Sequence, residues 1–308
     1  MSRFTHALTL PLQLAAGARR RPRRSLPRPV ISVGNLALGG RAKTPLVDAL
    51  AAGLRAAGLR PAVLLRGYPV TRPSAAPQVL LGQGRGPARW LAPVASLGDK
   101  PAPAWTLAPR VGDEAAWHAA GGSLVGVHPD RRRAAAAVLA HHTVDLFLLD
   151  DGFSGDVRAD LDVLVVSEAD LDRRSALREA PSAVERADRH LVLGRDLVKV
   201  PGGLRSLRTG EHARASGPHT LAAAVADPRS VEELALQHGL SIGARLRLRD
   251  HHGPSRRRVA RARHPLLVTE KDAVGWAMAL GIDATVLGLE LRGVEPVLAD
   301  ALALLGGS

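Results

Sequence analysis

At 308 residues, 46% apolar and 23% charged, the chain is long enough for two α/β domains or one large one, and too apolar to be mainly disordered. It has no cysteine, which excludes a disulfide framework, a thiol nucleophile and a Cys-based zinc site, and fits a reducing compartment. The formal charge of +13 suits an acidic partner, but with aromatics at 3% there is little to stack on bases, and no nucleic-acid partner is expected.

In chain order, the first stretch, Phe4 to Ala18, is mildly apolar and broken by Pro11. It is too short and too polar to span a bilayer. The basic run Arg19 to Arg24 follows it. A secretory signal has the opposite order, so export is not expected. Two readings stand side by side. One is an interfacial anchor on an anionic, cytoplasmic-side leaflet; the other is a solvated helix with a charged tail.

The segment Val30-Ile-Ser-Val-Gly-Asn-Leu-Ala-Leu-Gly-Gly-Arg-Ala-Lys-Thr-Pro45 carries the most information. It reads as a buried strand, a glycine-bearing turn and then the mouth of a helix, which is the P-loop order. In such a loop the backbone of Gly39, Gly40, Arg41 and Ala42 would wrap phosphate oxygens, Lys43 would neutralise the β- and γ-phosphates, and the Thr44 hydroxyl would hold Mg²⁺. Ala42 stands where the pattern wants glycine. The other lysines are Lys100, Lys199 and Lys271. In a chain that uses arginine nearly everywhere else, a retained ammonium points to a need for a compact charge.

Leu46 to Ala57 has helical spacing and Pro61 to Leu65 is a short apolar strand, followed by Arg66-Gly67-Tyr68. Residues 69–110, rich in Pro, Gly and Ala, read as irregular. Asp113 and Glu114 open a helix, where carboxylates suit the dipole. Ser123 to Val127 is a strand, Arg131 to His141 a helix, and Val144 to Leu149 a strand ending in Asp150-Asp151-Gly152-Phe153. Those two carboxylates either cap the next turn or hold the metal of a phosphoryl-transfer site. Leu161 to Val166 and His190 to Leu193 are further strands. The alternation predicts an α/β fold: a P-loop-type, mostly parallel sheet flanked by helices, with a second, smaller α/β domain. The expected boundaries are 1–28 for the membrane-surface helix and basic run, 29–204 for the kinase domain, 205–218 for a linker and 219–308 for the smaller domain.

The pieces VISVGNLALGGRAKTP, LLRGY, VGDE, LLDDGF, DLDVLVV, REAPSAVERAD, RDHH and VTEKDAV, in that order, resemble the tetraacyldisaccharide 4'-kinase family over about residues 30 to 275. The resemblance implies an ATP- and Mg²⁺-dependent enzyme, peripheral to the cytoplasmic membrane face. It would phosphorylate the 4'-hydroxyl of a tetraacylated glucosamine disaccharide 1-phosphate, a lipid-linked precursor of lipid A, as a monomer at an anionic membrane surface. It gives Lys43 and Thr44 the P-loop roles. It makes Asp113 a catalytic residue paired with His251 from the smaller domain, and assigns Glu114, Asp150 and Asp151 to the magnesium site. Apart from the family, Asp113 and Glu114 are equally first-turn helix charges, and His251 and His252 solvated loop histidines. Thr269-Glu270-Lys271-Asp272 is equally a capping motif. The chain departs from the family at Ala42, at Ser154-Gly155-Asp156 after the DDGF, and at Asp172 to Leu177. A P-loop kinase of another acceptor, or a nucleotide-binding member without activity, is the alternative.

Overall fold

The computed structural model of the protein describes residues 23–37, 42–67, 74–82, 88–172, 177, 179, 181–214 and 217–306. Gly39, Gly40, Arg41, Tyr68 and the stretch 1–22 lie outside the described residues. The described strands are β1 (Val30–Asn35), β2 (Pro61–Leu65), β3 (Gln78–Gly82), β4 (Pro93–Ser96), β5 (Ala102–Pro103), β6 (Leu124–Val127) and β7 (Leu146–Asp150). They continue with β8 (Leu161–Val166), β9 (Arg189–Val192), β10 (Val198–Ser206), β11 (Pro218–Leu221), β12 (Ser241–Arg245), β13 (Leu266–Thr269) and β14 (Ala284–Arg292). The longer described helices are α1 (Lys43–Ala56), α2 (Ala104–Val111), α3 (Asp113–Ala120), α4 (Arg131–His141), α5 (Pro228–Gln237) and α6 (Glu295–Gly306).

The chain forms two compact units that are interleaved in sequence. The first takes the described residues within Met1–Leu65, Asp130–Lys199 and Leu291–Ser308; the second takes those within Arg66–Pro129 and Val200–Glu290. This differs from the consecutive domains expected from sequence. The 205–218 stretch, expected as a linker, continues β10 into a hairpin-like turn, with Ser206 N–H donating to Glu211 O and Ala213 N–H to Leu204 O. Gly, Arg and Ser supply that turn as readily as they would a linker, so composition could not separate the two.

In the first unit the strand order is β2-β7-β1-β8-β9, all parallel. β1, β2, β7 and β8 are buried along their whole length, as apolar runs covered on both faces must be. Helix α1 turns Leu46, Val47, Leu50, Ala51 and Leu54 inward, each large side chain contributing about 1.5–3 kcal/mol. Gly53 lies against Leu298 of α6. From β1 the chain crosses by α1 to β2 on one side of β7, while β8 and β9 lie on the other side of β1. The crevice beyond the carboxyl ends of β1 and β7 is therefore the topological switch point, where such sheets bind ligands.

The second unit has two groups of paired strands. β5, β4, β3 and β6 are antiparallel neighbours, packed by α3. Among the described residues, the excursion expected over 69–110 thus contains three strands and most of α2. Its short strands carry Pro93 and Pro103, which mark edges and ends and blur the alternation that would have revealed them. The other sheet runs β10-β14-β13-β11-β12, with a core of Leu204, Leu221, Val231, Leu234, Leu240, Leu267 and Leu287.

Candidate active site

In the first unit β1 delivers Asn35 and α1 begins at Lys43, as a strand–loop–helix order requires. Lys43 Nζ donates to Asn35 Oδ1 at 2.8 Å and lies 3.4 Å from Asp151 Oδ1. Asn35 is fully buried and donates in turn to Ala37 O at 2.8 Å. The parallel register sets Val33 beside Asp150, so the carboxyl end of β7 reaches the same crevice as the Lys43 ammonium. Asp150 is buried and Asp151 is half exposed. Thr44 lies half-buried in the first turn of α1.

Arg131, the first residue of α4, was missed by sequence reasoning. Its buried guanidinium donates to Asp150 O at 2.7 Å and to Asp151 O at 2.9 Å. It thereby fixes the backbone that aims both carboxylates. The signal in the sequence was His128-Pro129-Asp130-Arg131, an N-cap followed by three arginines, which reads as an exposed helix start.

In the second unit Gly112, at φ 94°, turns the chain sharply between α2 and α3. That turn places Asp113 and Glu114 in the first turn of α3, where the helix dipole favours carboxylates. His251 Nδ1 lies 2.9 Å from Asp113 Oδ2 and 3.2 Å from Oδ1. Glu114 N–H donates to Asp113 Oδ1 at 2.9 Å. The structure brings together the two residues that sequence paired, 138 positions apart. It does so inside one compact unit, whereas the sequence reading placed them in separate domains. The pair therefore forms without domain closure.

Burial alone would raise the Asp113 carboxyl pKa, but the His251 hydrogen bond and the Lys271 charge outweigh it and hold the group below its ordinary value. For His251, burial and Lys271 pull the imidazole pKa down while Asp113 draws it up, the net lying above the ordinary value. The position of Lys271 Nζ, 3.4 Å from Nε2, nevertheless disfavours a proton on that nitrogen. His252 is exposed, with Nδ1 on its neighbour Asp250 O.

Among the described residues, Ala42 (φ 58°), Asp151 (φ 56°) and His251 (φ 61°) are the non-glycine residues with left-handed backbone. Each such residue costs about 1–2 kcal/mol. All three are residues singled out from sequence, and strain of this kind gathers at functional sites.

Magnesium takes hard oxygen ligands, keeps several waters and shares phosphate oxygens, so it needs few protein groups. Thr44, Asp150 and Asp151 offer such oxygens, and Asp150 and Asp151 are aimed by a buried guanidinium, a donor set that fits. Among the described residues no cluster of three or more His, Asp or Glu could hold a metal by itself. Glu114 is engaged differently: Lys271 Nζ lies 3.3 Å from its Oε1.

A strand–loop–helix with a lysine at the switch point of a parallel sheet, and a buried Asp–His pair, define a nucleotide-dependent phosphotransferase class of α/β protein. The family described as Tetraacyldisaccharide-1-P 4'-kinase matches residues 4–303, and the chain belongs to it. The tetraacyldisaccharide 4'-kinase of Geobacter metallireducens is 30% identical, with 89% of this chain and 87% of that protein covered. The enzyme of the same name from Chromobacterium violaceum is 31% identical, over 96% of this chain and 91% of its own. The crystal structure of LpxK from Aquifex aeolicus in complex with ATP superposes with a TM-score of 0.67 at 19% identity, covering 99% of this chain and 97% of that one. The likeness to that structure bears out the fold class: a mostly parallel sheet flanked by helices and a second, smaller sheet.

Proposed function

We propose that the chain transfers the γ-phosphate of ATP to the 4'-hydroxyl of a tetraacylated glucosamine disaccharide 1-phosphate, the lipid A precursor. Family membership supports the reaction, and the observation that carries it to named residues is the Asp113–His251 pair, 2.9 Å apart around a strained His251. A sugar hydroxyl is a poor nucleophile. Asp113, kept ionised, accepts its proton as the oxygen bonds to the γ-phosphorus and the bond to the β,γ-bridging oxygen breaks, with ADP leaving. His251 holds the carboxylate by its Nδ1–H and steadies the proton it gains. Lys43 neutralises phosphate charge; in the structure its ammonium waits on Asn35 and Asp151, acceptors that phosphate oxygens can replace. The loop backbone through Gly39, Gly40, Arg41 and Ala42 is assigned to phosphate binding.

Thr44, Asp150 and Asp151 would hold magnesium, which supplies charge neutralisation at the phosphates. Glu114 is assigned to Lys271 and the dyad in place of the metal. The lipid acceptor supports a location at a membrane surface, and we propose peripheral attachment at the cytoplasmic face through the N-terminal stretch, as a monomer. Among the described residues no helix is long and apolar enough to cross a membrane.

The test is transfer of radiolabel from γ-labelled ATP to the tetraacyl disaccharide, with Lys43→Ala as control. Turnover by wild type and its loss in Lys43→Ala, at an unchanged melting profile, are expected. Near-native turnover in the variant would remove the phosphate assignment. No turnover by wild type in detergent or lipid would remove the reaction itself.

A further inference from the structure

The Thr269-Glu270-Lys271-Asp272 turn is built against the Asp113–His251 pair. Lys271 Nζ lies 3.3 Å from Glu114 Oε1, 3.4 Å from His251 Nε2, 3.8 Å from Asp113 Oδ2 and 3.9 Å from Asp250 Oδ1. One ammonium therefore faces three carboxylates and the ring nitrogen that does not touch Asp113. Its own surroundings keep it charged: burial pulls its pKa down, and Glu114, Asp113 and Asp250 more than offset that.

The turn is locked from two sides. Thr269 and Asp272 form a reciprocal capping box, in which Asp272 N–H donates to Thr269 Oγ1 at 3.2 Å and Thr269 N–H to Asp272 Oδ2 at 3.1 Å. The Thr269 hydroxyl donates to the same Oδ2 at 2.6 Å. The other oxygen of Asp272 accepts from Trp276 Nε1 at 2.7 Å and from Ala224 N–H at 2.9 Å. Ala224 O in turn accepts from His251 N–H at 3.1 Å. The residue that fixes the Lys271 turn thus also fixes the backbone that carries His251. The segment continues into a π-helical turn, Ala273–Ala277, whose Gly275 lies against Asp113. Single π turns of this kind recur at functional sites.

We propose that Lys271 is a positioning residue for phosphoryl transfer: its ammonium pins the carboxylates of Asp113 and Glu114 and hydrogen-bonds Nε2 of His251, so that the imidazole presents Nδ1–H to Asp113. The chemistry is one of donors and acceptors. An ammonium has only donors, so the nitrogen facing it must accept. With Nε2 accepting, the ring proton is on Nδ1, 2.9 Å from Asp113 Oδ2. Without Lys271 a second proton can sit on Nε2, which also lies 3.7 Å from Asp250 Oδ2, and the resulting imidazolium would leave Asp113 a weaker base. An arginine fork is planar and broader than an ammonium, which accounts for a lysine here in an arginine-dominated chain. The inference rests on the kinase reading for its activity test but has a second test that does not.

The cysteine-free sequence makes the activity test clean. Lys271→Cys introduces a single thiol. Treatment with 2-bromoethylamine rebuilds a lysine-like ammonium there, and iodoacetamide leaves a neutral adduct. In turnover of ATP and the tetraacyl disaccharide, Lys271→Cys is expected to lose about 10- to 100-fold in kcat with KM for ATP within about twofold, since the loss falls on the base and not on nucleotide binding. The aminoethyl adduct should recover most of the loss and the neutral adduct should not. A kcat within about threefold of wild type, or equal recovery by both adducts, would overturn the proposal. Independently of activity, ¹⁵N NMR of the imidazole nitrogens of His251 should show Nδ1–H with an unprotonated Nε2 in wild type and protonation of Nε2 as well in Lys271→Ala. An Nε2–H ring in wild type would overturn the proposal even if the acceptor proved to be another molecule. A wild type inactive on the disaccharide but with the expected Nδ1–H ring would instead point to the acceptor assignment.

Discussion

Ala42, Asp151 and His251 hold left-handed backbone without being glycine, and each lies at a group assigned to chemistry. Ala42 is the N-cap of α1 with no side-chain cap, in the place where the family pattern has glycine. Glycine adopts φ 58° freely but loses more chain entropy on folding, about 0.5–1 kcal/mol, against about 1–2 kcal/mol for an L-residue in that region. Ala42→Gly should therefore be neutral to mildly stabilising, by up to about 1 kcal/mol, with ATP affinity equal or better. Denaturant melts and nucleotide titration check this, and a large loss of affinity would show that the loop holds phosphate in another way. For Asp113 the prediction concerns both rate and pH. Asp113→Ala and His251→Ala should each lower the single-turnover rate while sparing ATP binding, and the double variant should lose less than the product of the two, as groups acting as a unit do. Multiplicative losses would separate the pair. The folded state depresses the Asp113 pKa. Its contribution to stability is then present above the unfolded carboxylate value of about 3.9 and lost as pH falls through the folded value. The stability gap between wild type and Asp113→Asn should accordingly be widest near neutrality and shrink in acid melts.

At the scale of elements, two short segments hold the catalytic groups in place. The turn at Asp272 ties two backbone N–H groups, of Ala224 and Thr269, and the Trp276 indole to one buried carboxylate. Asp272→Ala leaves the Ala224 N–H and Trp276 Nε1–H without their acceptor, at a cost of about 1–3 kcal/mol, and should slow turnover through His251 and Lys271. Thermal melts and kcat should fall together; a rate loss without a melting change would place Asp272 outside this scaffold. Gly253 packs against Trp276, whose Cγ would lie 2.5 Å from an added Cβ. Gly253→Ala should displace that indole from Asp272 and lower the melting temperature, read by the tryptophan emission. In the other unit, Arg131 buries its guanidinium beneath the carbonyls of Asp150 and Asp151. The same geometry explains how a non-glycine residue at Asp151 tolerates its backbone.

At the scale of the whole molecule, the +13 charge suits the anionic membrane surface proposed above. The end of the basic run is not a loose tail. Arg23 pairs with Asp162 at 2.7 Å and lies 5.6 Å from the Phe153 ring centre, and Arg24 N–H donates to Asp156 O. Two deletions should therefore behave differently. Removal of residues before Arg23 should weaken salt-sensitive binding to anionic vesicles while leaving the melting temperature in place. Removal up to Leu26 should also destabilise the fold. Co-sedimentation at low and high salt, beside melts of both proteins, distinguishes them, and unchanged vesicle binding in the shorter deletion would remove the anchor.

What the sequence determined by itself was whatever is local. The strands β1, β2, β7 and β8 were legible because parallel strands buried on both faces are unbroken apolar runs, and helix α4 because its span matches its pattern end to end. The Lys43 loop, the Asp150–Asp151 pair and the Asp113–His251 pair were legible as motifs, the last through the family order. Tertiary structure decided the rest. It showed that Asp113 and His251 share a unit, because the chain leaves the first unit at residue 66 and again at residue 200, and the composition near these passages reads as irregular chain and linker and not as a change of unit. The strands within 69–110 emerged only as partners of β6, since antiparallel pairing between short, proline-bearing segments depends on neighbours far along the chain. Arg131 and Lys271 also escaped assignment for the same physical reason. A cation's role is set by which carbonyls and carboxylates surround it after folding, and those partners come from 19 to 157 residues away.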